Sequence, residues 1–270
     1  MNRQLAASLS VSIVYYNNDS YMEKVLEKII RPLRESGIDC FLINNASTDR
    51  TESILKSHIS EEDEHIRYLR SGENLGFGRA HNLVLETISS KYHLICNPDI
   101  IFESIEPLCA CLDYMESEPS VGLATIRLLN GDGSLQYANK RSPNVLDLFL
   151  RRFMSRESAP AFIKRRMDRY EMRPEGYEQV VDVPFVTGAF MMIRTELLKA
   201  IEGFDPRYFL YFEDADLSRK IRLAGHRTVY FPGATAIHLW DRAPHKNLRM
   251  GGILLKNMFR FFGKWGWAWF

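Results

Sequence analysis

The chain has 270 residues, 46% hydrophobic and 26% charged, with a formal net charge of +1. That length carries one substantial core or two small ones. The balance excludes a highly charged disordered chain and leaves no overall field for nucleic acid. Four cysteines exclude a disulfide scaffold: Cys40 and Cys96 lie in apolar runs as reduced thiols of a cytosolic protein, and Cys109 and Cys111 read as packing residues.

The opening MNRQLAASLSVSIVYY runs straight into a β-branched, aromatic segment, which fits a first strand over 9–16 better than a cleaved leader. No run reaches the ~18 apolar residues of a membrane-spanning helix. Asn17 to Ser20 are turn and cap residues. Met22, Val25, Leu26, Ile29, Ile30 and Leu33 then recur at helical spacing, with Gly37 as the stop. CFLIN (40–44), IRYLR (66–70) and YHLIC (92–96) are further strands. Between them, Ala46-Ser47-Thr48-Asp49 supplies helix caps, and Ala80, Leu83, Val84, Thr87 and Ile88 form a helical stripe. This alternation predicts an α/β fold with a mainly parallel sheet and helices on both faces.

The second half is less regular. VGLATIRLL (121–129) predicts a strand and Asn130-Gly131-Asp132-Gly133 a tight turn. Residues 140–173 are basic, with Lys140, Arg151, Arg152 and Arg173 among their cations. Residues 180–194 return to strand composition, a helix starts near Glu213 and stops at Gly225, and TVYFPGATAIHLW (228–240) predicts two short strands.

In an open parallel sheet, ligands bind at the carboxyl ends of the strands. Three polar clusters fall there: Asn44 to Asp49, Glu73 to Arg79, and Asn97-Pro98-Asp99. Pro98 cannot donate to a ladder, so it stops strand pairing and leaves Asp99 at the rim, either as a turn cap or facing a cation. Glu213, Asp214 and Asp216 crowd the first turn of a helix, where its dipole favours ionised carboxylates; stabilising a helix start is a sufficient local role. Ser47 and Asp49 likewise suffice as caps. His238 suits a core position between strands or a ligand position.

Six blocks occur in order: NNASTDRT (44–51), ENLGFGRAHN (73–82), NPDI (97–100), FVTGAFMMIR (185–194), GFDPRYFLYFEDADLSRKIRLAG (203–225) and AIHLW (236–240). Together they resemble inverting family-2 glycosyltransferases of the GT-A fold. Among these, the resemblance is to bacterial rhamnosyltransferases of O-antigen, lipopolysaccharide and other surface polysaccharides. It covers about residues 9–240. It implies a single Rossmann-like, nucleotide-diphospho-sugar transferase domain over 1–242.

What the resemblance implies runs residue by residue. Asp99 matches the last carboxylate of a DxD motif that holds a divalent cation on the donor diphosphate, with Asn97 in place of the first Asp. His238 matches a histidine that completes the metal site, and an imidazole ligand favours Mn²⁺ over Mg²⁺. Asn44 stands where an Asp commonly bonds the base, and Asn45 and Asp49 belong to the same pocket. The glycines of the second block admit the donor, Arg79 pairs with phosphate, and Asn82 meets sugar hydroxyls. Asp214 matches the general base, Glu213 and Asp216 support it, and Thr187 and Gly188 line the acceptor side.

The implied donor is dTDP-L-rhamnose and the implied acceptor a glycan on a polyprenyl diphosphate. A UDP-hexose or UDP-galactofuranose donor, or a non-catalytic glycan-binding subunit, are the alternatives. An oxidoreductase is disfavoured because no GxGxxG follows the first strand. The segment 243–270, with Lys246, Arg249, Lys256, Arg260 and Lys264 among large aromatics and no acid from 245 onward, suits an element lying on an anionic membrane surface, or one packed on the domain. The expected location is cytoplasmic, peripheral on the inner face of the cell membrane.

Overall fold

A computed structural model describes residues 8–60, 63–239 and 248–270. Lys246 and Trp240 lie outside the described residues, as does the side chain of Arg249. Four parallel strands form the first half of the sheet: β1 (Leu9–Tyr15), β2 (Asp39–Asn44), β3 (Ile66–Arg70) and β4 (Tyr92–Cys96), in the spatial order β3-β2-β1-β4. The chain runs outward from β1 to β3 and returns to β4 on β1's other side. That reversal opens a crevice at the carboxyl ends of β1 and β4.

Both faces of these strands are covered, which is why they read as unbroken apolar runs. Val11, Ile13 and Tyr15 of β1 and Leu42 of β2 join one core with helix α1 (Asp19–Glu35). Val14, Phe41 and Ile43 face the other way, onto Ala80, Val84 and Ile88 at and after helix α3 (Phe77–Asn82). Helix α2 (Thr51–Ser57) lies between β2 and β3. Gly37 stops α1 with φ 67°, and its N–H donates to Arg34 O. The stripe over 80–88 is helical only through Asn82 and continues as turns.

The rest of the sheet is mixed. After β5 (Ile100–Ile101) and helix α4 (Glu106–Ser117), strand β6 (Val121–Leu129) forms; helices α5 (Val145–Phe153) and α6 (Ala161–Tyr170) and strand β7 (Val181–Asp182) follow. Strand β8 (Phe190–Arg194) lies between β4 and β6, antiparallel to both. After helices α7 (Thr195–Ala200) and α8 (Glu213–Leu223), β9 (Arg227–His238) pairs parallel to β6 and antiparallel to β5 and β7. The two short strands expected over 228–240 are one strand. Phe231 pairs with Ile126 and Thr235 with Arg127, so Pro232, Gly233 and Ala234 are taken up in a bulge.

Helix α9 (Leu248–Trp265) packs on the domain. Phe261 and Phe262 are buried with Tyr208, Phe212 and Ala215. Asp216 is 0% exposed, and its Oδ1 meets Lys264 Nζ at 2.7 Å and accepts from Trp265 Nε1 at 2.7 Å. The last residues return to α5, where the N–H groups of Val145 and Leu146 donate to Ala268 O and Trp269 O. A buried ion pair contributes little net stability, but removing one partner strands the other charge. Lys264→Met is therefore expected to lower the unfolding free energy by about 3 kcal/mol in urea titration.

Candidate active site

β4 ends at Cys96, but its pairing with β8 runs one step further: Asn97 N–H donates to Ala189 O at 3.0 Å. Pro98 then turns the chain, Ile100 N–H donates back to Asn97 O, and Asp99 arrives beside the end of β9. Ile100 pairs with His238, and Leu239 N–H donates to Asp99 O at 2.9 Å. Asp99 Oδ1 lies 3.3 Å from His238 Nε2, buried and accepting no hydrogen bond. These two proposed metal ligands, 139 positions apart by number, are thus neighbours.

Gln136 fixes the imidazole. Its Nε2 donates to His238 O and to Asn130 Oδ1, both at 2.8 Å, so its Oε1 faces His238 Nδ1 at 2.8 Å and can only accept. Nδ1 therefore carries the proton, and in the neutral ring Nε2 keeps its lone pair toward Asp99. Nothing in the sequence singled out Gln136. Burial first, and the Asp99 charge second, push the Tyr21 phenol up, so the carboxylate acts on its surroundings. Among the described residues no group of three or more His, Cys, Asp and Glu gathers for a metal; Asp99 and His238 stand as a pair.

The start of α8 is tied to the same strand end. Gly188 N–H donates to Asp214 Oδ2 at 3.1 Å, and Ala215 N–H to Oδ1 at 2.9 Å. Gly188 adjoins Ala189, the partner of Asn97, so one short turn connects the two. A Cβ at Gly188 would press Phe77 at 3.0 Å. Tyr211 and Phe212 enter the helix with φ of 71° and 72°, a left-handed geometry bulky residues avoid, as occurs at functional sites.

Two of the acids in the first turn of α8 do not keep an ordinary carboxylate pKa. Burial pushes Asp214 up despite its two N–H donors. Burial, then the Asp214 charge, push Glu213 up further; it is 4% exposed, with Oε2 accepting no hydrogen bond. Desolvation outweighs the helix terminus. Asp216 faces Lys264 and Trp265 instead. A cavity of about 490 Å³ opens on Thr187, Glu213 and Asp214.

Most of the remaining sequence candidates engage the chain itself. Asn44 is buried, with Nδ2 donating to Tyr68 OH and Oδ1 accepting from Ser47 N–H. Asn45 Oδ1 accepts from Leu75 N–H, and Asp49 accepts from the N–H groups of Thr51 and Asp19. Asn82 bonds both backbone groups of Phe204. Arg79 lies half-exposed, 3.7 Å from Glu73. The glycines of the second block admit the chain itself: a Cβ at Gly76 would sit 1.9 Å from Phe209 O, and one at Gly78 2.7 Å from Phe204. Sequence reading also missed a buried chain from Ser10 through His93 and Ser12 to His81.

The glycosyl transferase family 2 profile matches residues 10–202. The rhamnosyltransferase WbbL of Escherichia coli K12 is 28% identical over 236 residues, 84% of this chain and 82% of that protein. The N-acetylglucosaminyl-diphospho-decaprenol L-rhamnosyltransferase of Mycobacterium tuberculosis is 26% identical over 248 residues, 85% of this chain and 75% of that protein. Among solved structures, the mannosyltransferase PcManGT of Pyrobaculum calidifontis, with GDP-Man and Mn²⁺, aligns with TM-score 0.63 at 16% identity, over 95% of this chain and 63% of its own. GalNAc-T7, with UDP, GalNAc and Mn²⁺, aligns with TM-score 0.65 at 14% identity, over 96% of this chain and 48% of its own. At those identities the likeness shows the fold, which is GT-A as expected.

The raised carboxyls have a sign. A group whose folded pKa exceeds its unfolded value, near ~4, loses stability as pH rises, because ionisation is harder in the folded state. These two carboxyls make the unfolding free energy fall from pH 5 to pH 8, against the rise contributed by the buried His81 and His93, whose pKa values burial lowers. In Asp214→Asn that fall should be smaller by about 1 kcal/mol, measured by urea titration at both pH values.

Proposed function

The chain belongs to glycosyl transferase family 2, and from that premise we propose that it transfers L-rhamnose from dTDP-L-rhamnose, with inversion, to a polyprenyl-diphosphate-linked glycan. One observation carries the reaction: the Asn97–Ala189 pairing and the Gly188–Asp214 bond hold the Asp99–His238 pair and Asp214 on two sides of one strand end. The rhamnosyltransferase names of both curated relatives support the sugar. The decaprenol name of one supports the acceptor class.

Asp214 is the base. Its raised pKa makes it a stronger proton acceptor than a surface carboxylate. The acceptor hydroxyl gives its proton to Asp214 as its oxygen bonds the anomeric carbon. The C–O bond to the donor diphosphate breaks on the opposite face, and the nucleoside diphosphate leaves. The N–H groups of Gly188 and Ala215 keep the carboxylate aimed throughout. Thr187 and Glu213 line the acceptor side, and Asp216 supports from behind by tying α8 to α9.

Asp99 and His238 suit a divalent cation, Mn²⁺ or Mg²⁺. A buried carboxylate oxygen without a hydrogen-bond donor and an imidazole lone pair side by side are a donor set that a cation satisfies. When bound, the cation neutralises charge on the departing diphosphate. On the donor side, Arg79 and Asn97 offer their side chains. Asn44, Asn45, Asp49 and Asn82 act indirectly, since their side chains hold the loops that shape the crevice. With Mn²⁺ and a lipid-linked acceptor, dTDP-rhamnose is expected to be consumed faster than any UDP-sugar, and Asp214→Asn to lower turnover by about 10²–10⁴-fold. Full turnover in that variant would remove the base assignment; preference for a UDP-sugar would remove rhamnose.

The reading includes work at the inner face of the cell membrane. Among the described residues no helix is long and apolar enough to cross a membrane. The outward side of the C-terminal segment carries Leu255, Phe259, Trp267, Trp269 and Phe270, the last 88% exposed. Exposed aromatics with Lys256 and Arg260 suit the headgroup region of an anionic leaflet. Flotation with anionic vesicles is expected for the full chain. It should be largely lost when Phe259, Trp269 and Phe270 are changed to Ser; equal flotation would sink the membrane proposal.

A further inference from the structure

The walls of the cavity at Asp214 sort by chemistry. Its reacting end carries Thr187, Glu213 and Asp214, and Lys140, Arg151 and Arg152 supply three cations. Leu148 of α5 with Met250 and Leu254 of α9 give an apolar side. The volume of about 490 Å³ exceeds what one sugar ring needs.

The Lys140 side chain is 8% exposed and 3.5 Å from Glu171, which also pairs with Arg173 at 2.6 Å. Arg151 lies over the Tyr170 ring. Burial, then Arg151, pull Lys140 down to about 7, the strain of an ammonium among like charges. An anion entering here relieves that repulsion and accepts from the Arg forks. Hydroxyl-accepting carboxylate, cations and apolar wall in one cavity match a sugar, a diphosphate and a prenyl chain.

We propose that this cavity is the acceptor subsite, in which Arg151, Arg152 and Lys140 hold the diphosphate, the Leu148–Met250–Leu254 wall takes the first prenyl units, and the sugar faces Asp214. The diphosphate is carried unchanged; no bond to it breaks. The inference rests on the transferase reading and assigns its acceptor residues. It also gives α9 a part in the site: the helix that carries the exposed aromatics lines the entrance for a lipid-borne substrate.

The test uses farnesyl diphosphate, farnesol and inorganic pyrophosphate as probes. Binding to the full chain is followed by calorimetry with EDTA and saturating dTDP present, so that the donor site does not report. Farnesyl diphosphate is expected to bind at least about ten-fold tighter than either fragment, and Arg151→Ala/Arg152→Ala to weaken it by about ten-fold or more, the loss of a charge-assisted contact. Both arginines are exposed, so the variant should fold. Equal affinity in parent and variant would overturn the assignment. So would pyrophosphate binding as tightly as farnesyl diphosphate, which marks a free-phosphate site, or farnesol doing so, which marks an apolar groove. Failure of the transferase reading looks different: the parent then releases nucleotide from no nucleotide sugar, whatever it binds here.

Discussion

The antiparallel pairing of β4 with β8 is the constraint on which the site depends. Four parallel strands make a nucleotide-type half with its crevice at one end, but they bring no second wall. β8 enters against β4 with Cys96 opposite Phe190, and its approach, residues 187–189, therefore passes the crevice mouth. From there one backbone N–H, that of Gly188, reaches across to α8. Asp99 and Asp214 are tied to this strand end through main-chain groups, while the Gln136 side chain orients the His238 imidazole.

The acids of α8 show how neighbouring carboxylates acquire different chemistry. Asp216 is wholly buried yet paired with Lys264 and the Trp265 indole. Asp214 is partly open to the cavity and has two backbone donors but, among the described residues, no ion-pair partner within 4.0 Å, so desolvation prevails and raises its proton affinity. Glu213, deeper and beside Asp214, is raised as well. One helical turn thus holds one acid paired with the tail and two whose proton affinity burial raises, both lining the cavity with Thr187. Spacing in a sequence cannot separate them, because the difference lies in what packs against each.

Much of the fold was legible because its strands are short, apolar and set off by turn residues; IRYLR, YHLIC and VGLATIRLL end where the pattern ends. The blocks of the site were legible too, through their order along the chain. What was not legible is tertiary. Gly76 and Gly78 read as room for a ligand, yet Phe209 and Phe204 fill that room. Asn45, Asp49 and Asn82 read as ligand-facing amides and acids, yet backbone groups engage them. Gln136 carries no local signal, and its importance appears only once β9 brings His238 beside it. The tail offered two readings, membrane or domain; the structure shows its helix packed on the domain through one face, with aromatics outward on the other.

The bulge in β9 has a consequence for the cation pair. Side chains along a strand alternate between faces, so the phase of every residue after Phe231 depends on how many residues the kink absorbs. Three are absorbed here, an odd number, and that parity sets the face on which the imidazole emerges beside Asp99. A chain shortened by a single residue at 232–234 would keep its hydrophobic composition and its sheet. If the segment after the kink slips by one to close the gap, Ile237 or Leu239 meets the carboxylate instead. The kink thus constrains chain length as well as sequence, a Cβ at Gly233 standing 2.4 Å from the Phe231 ring.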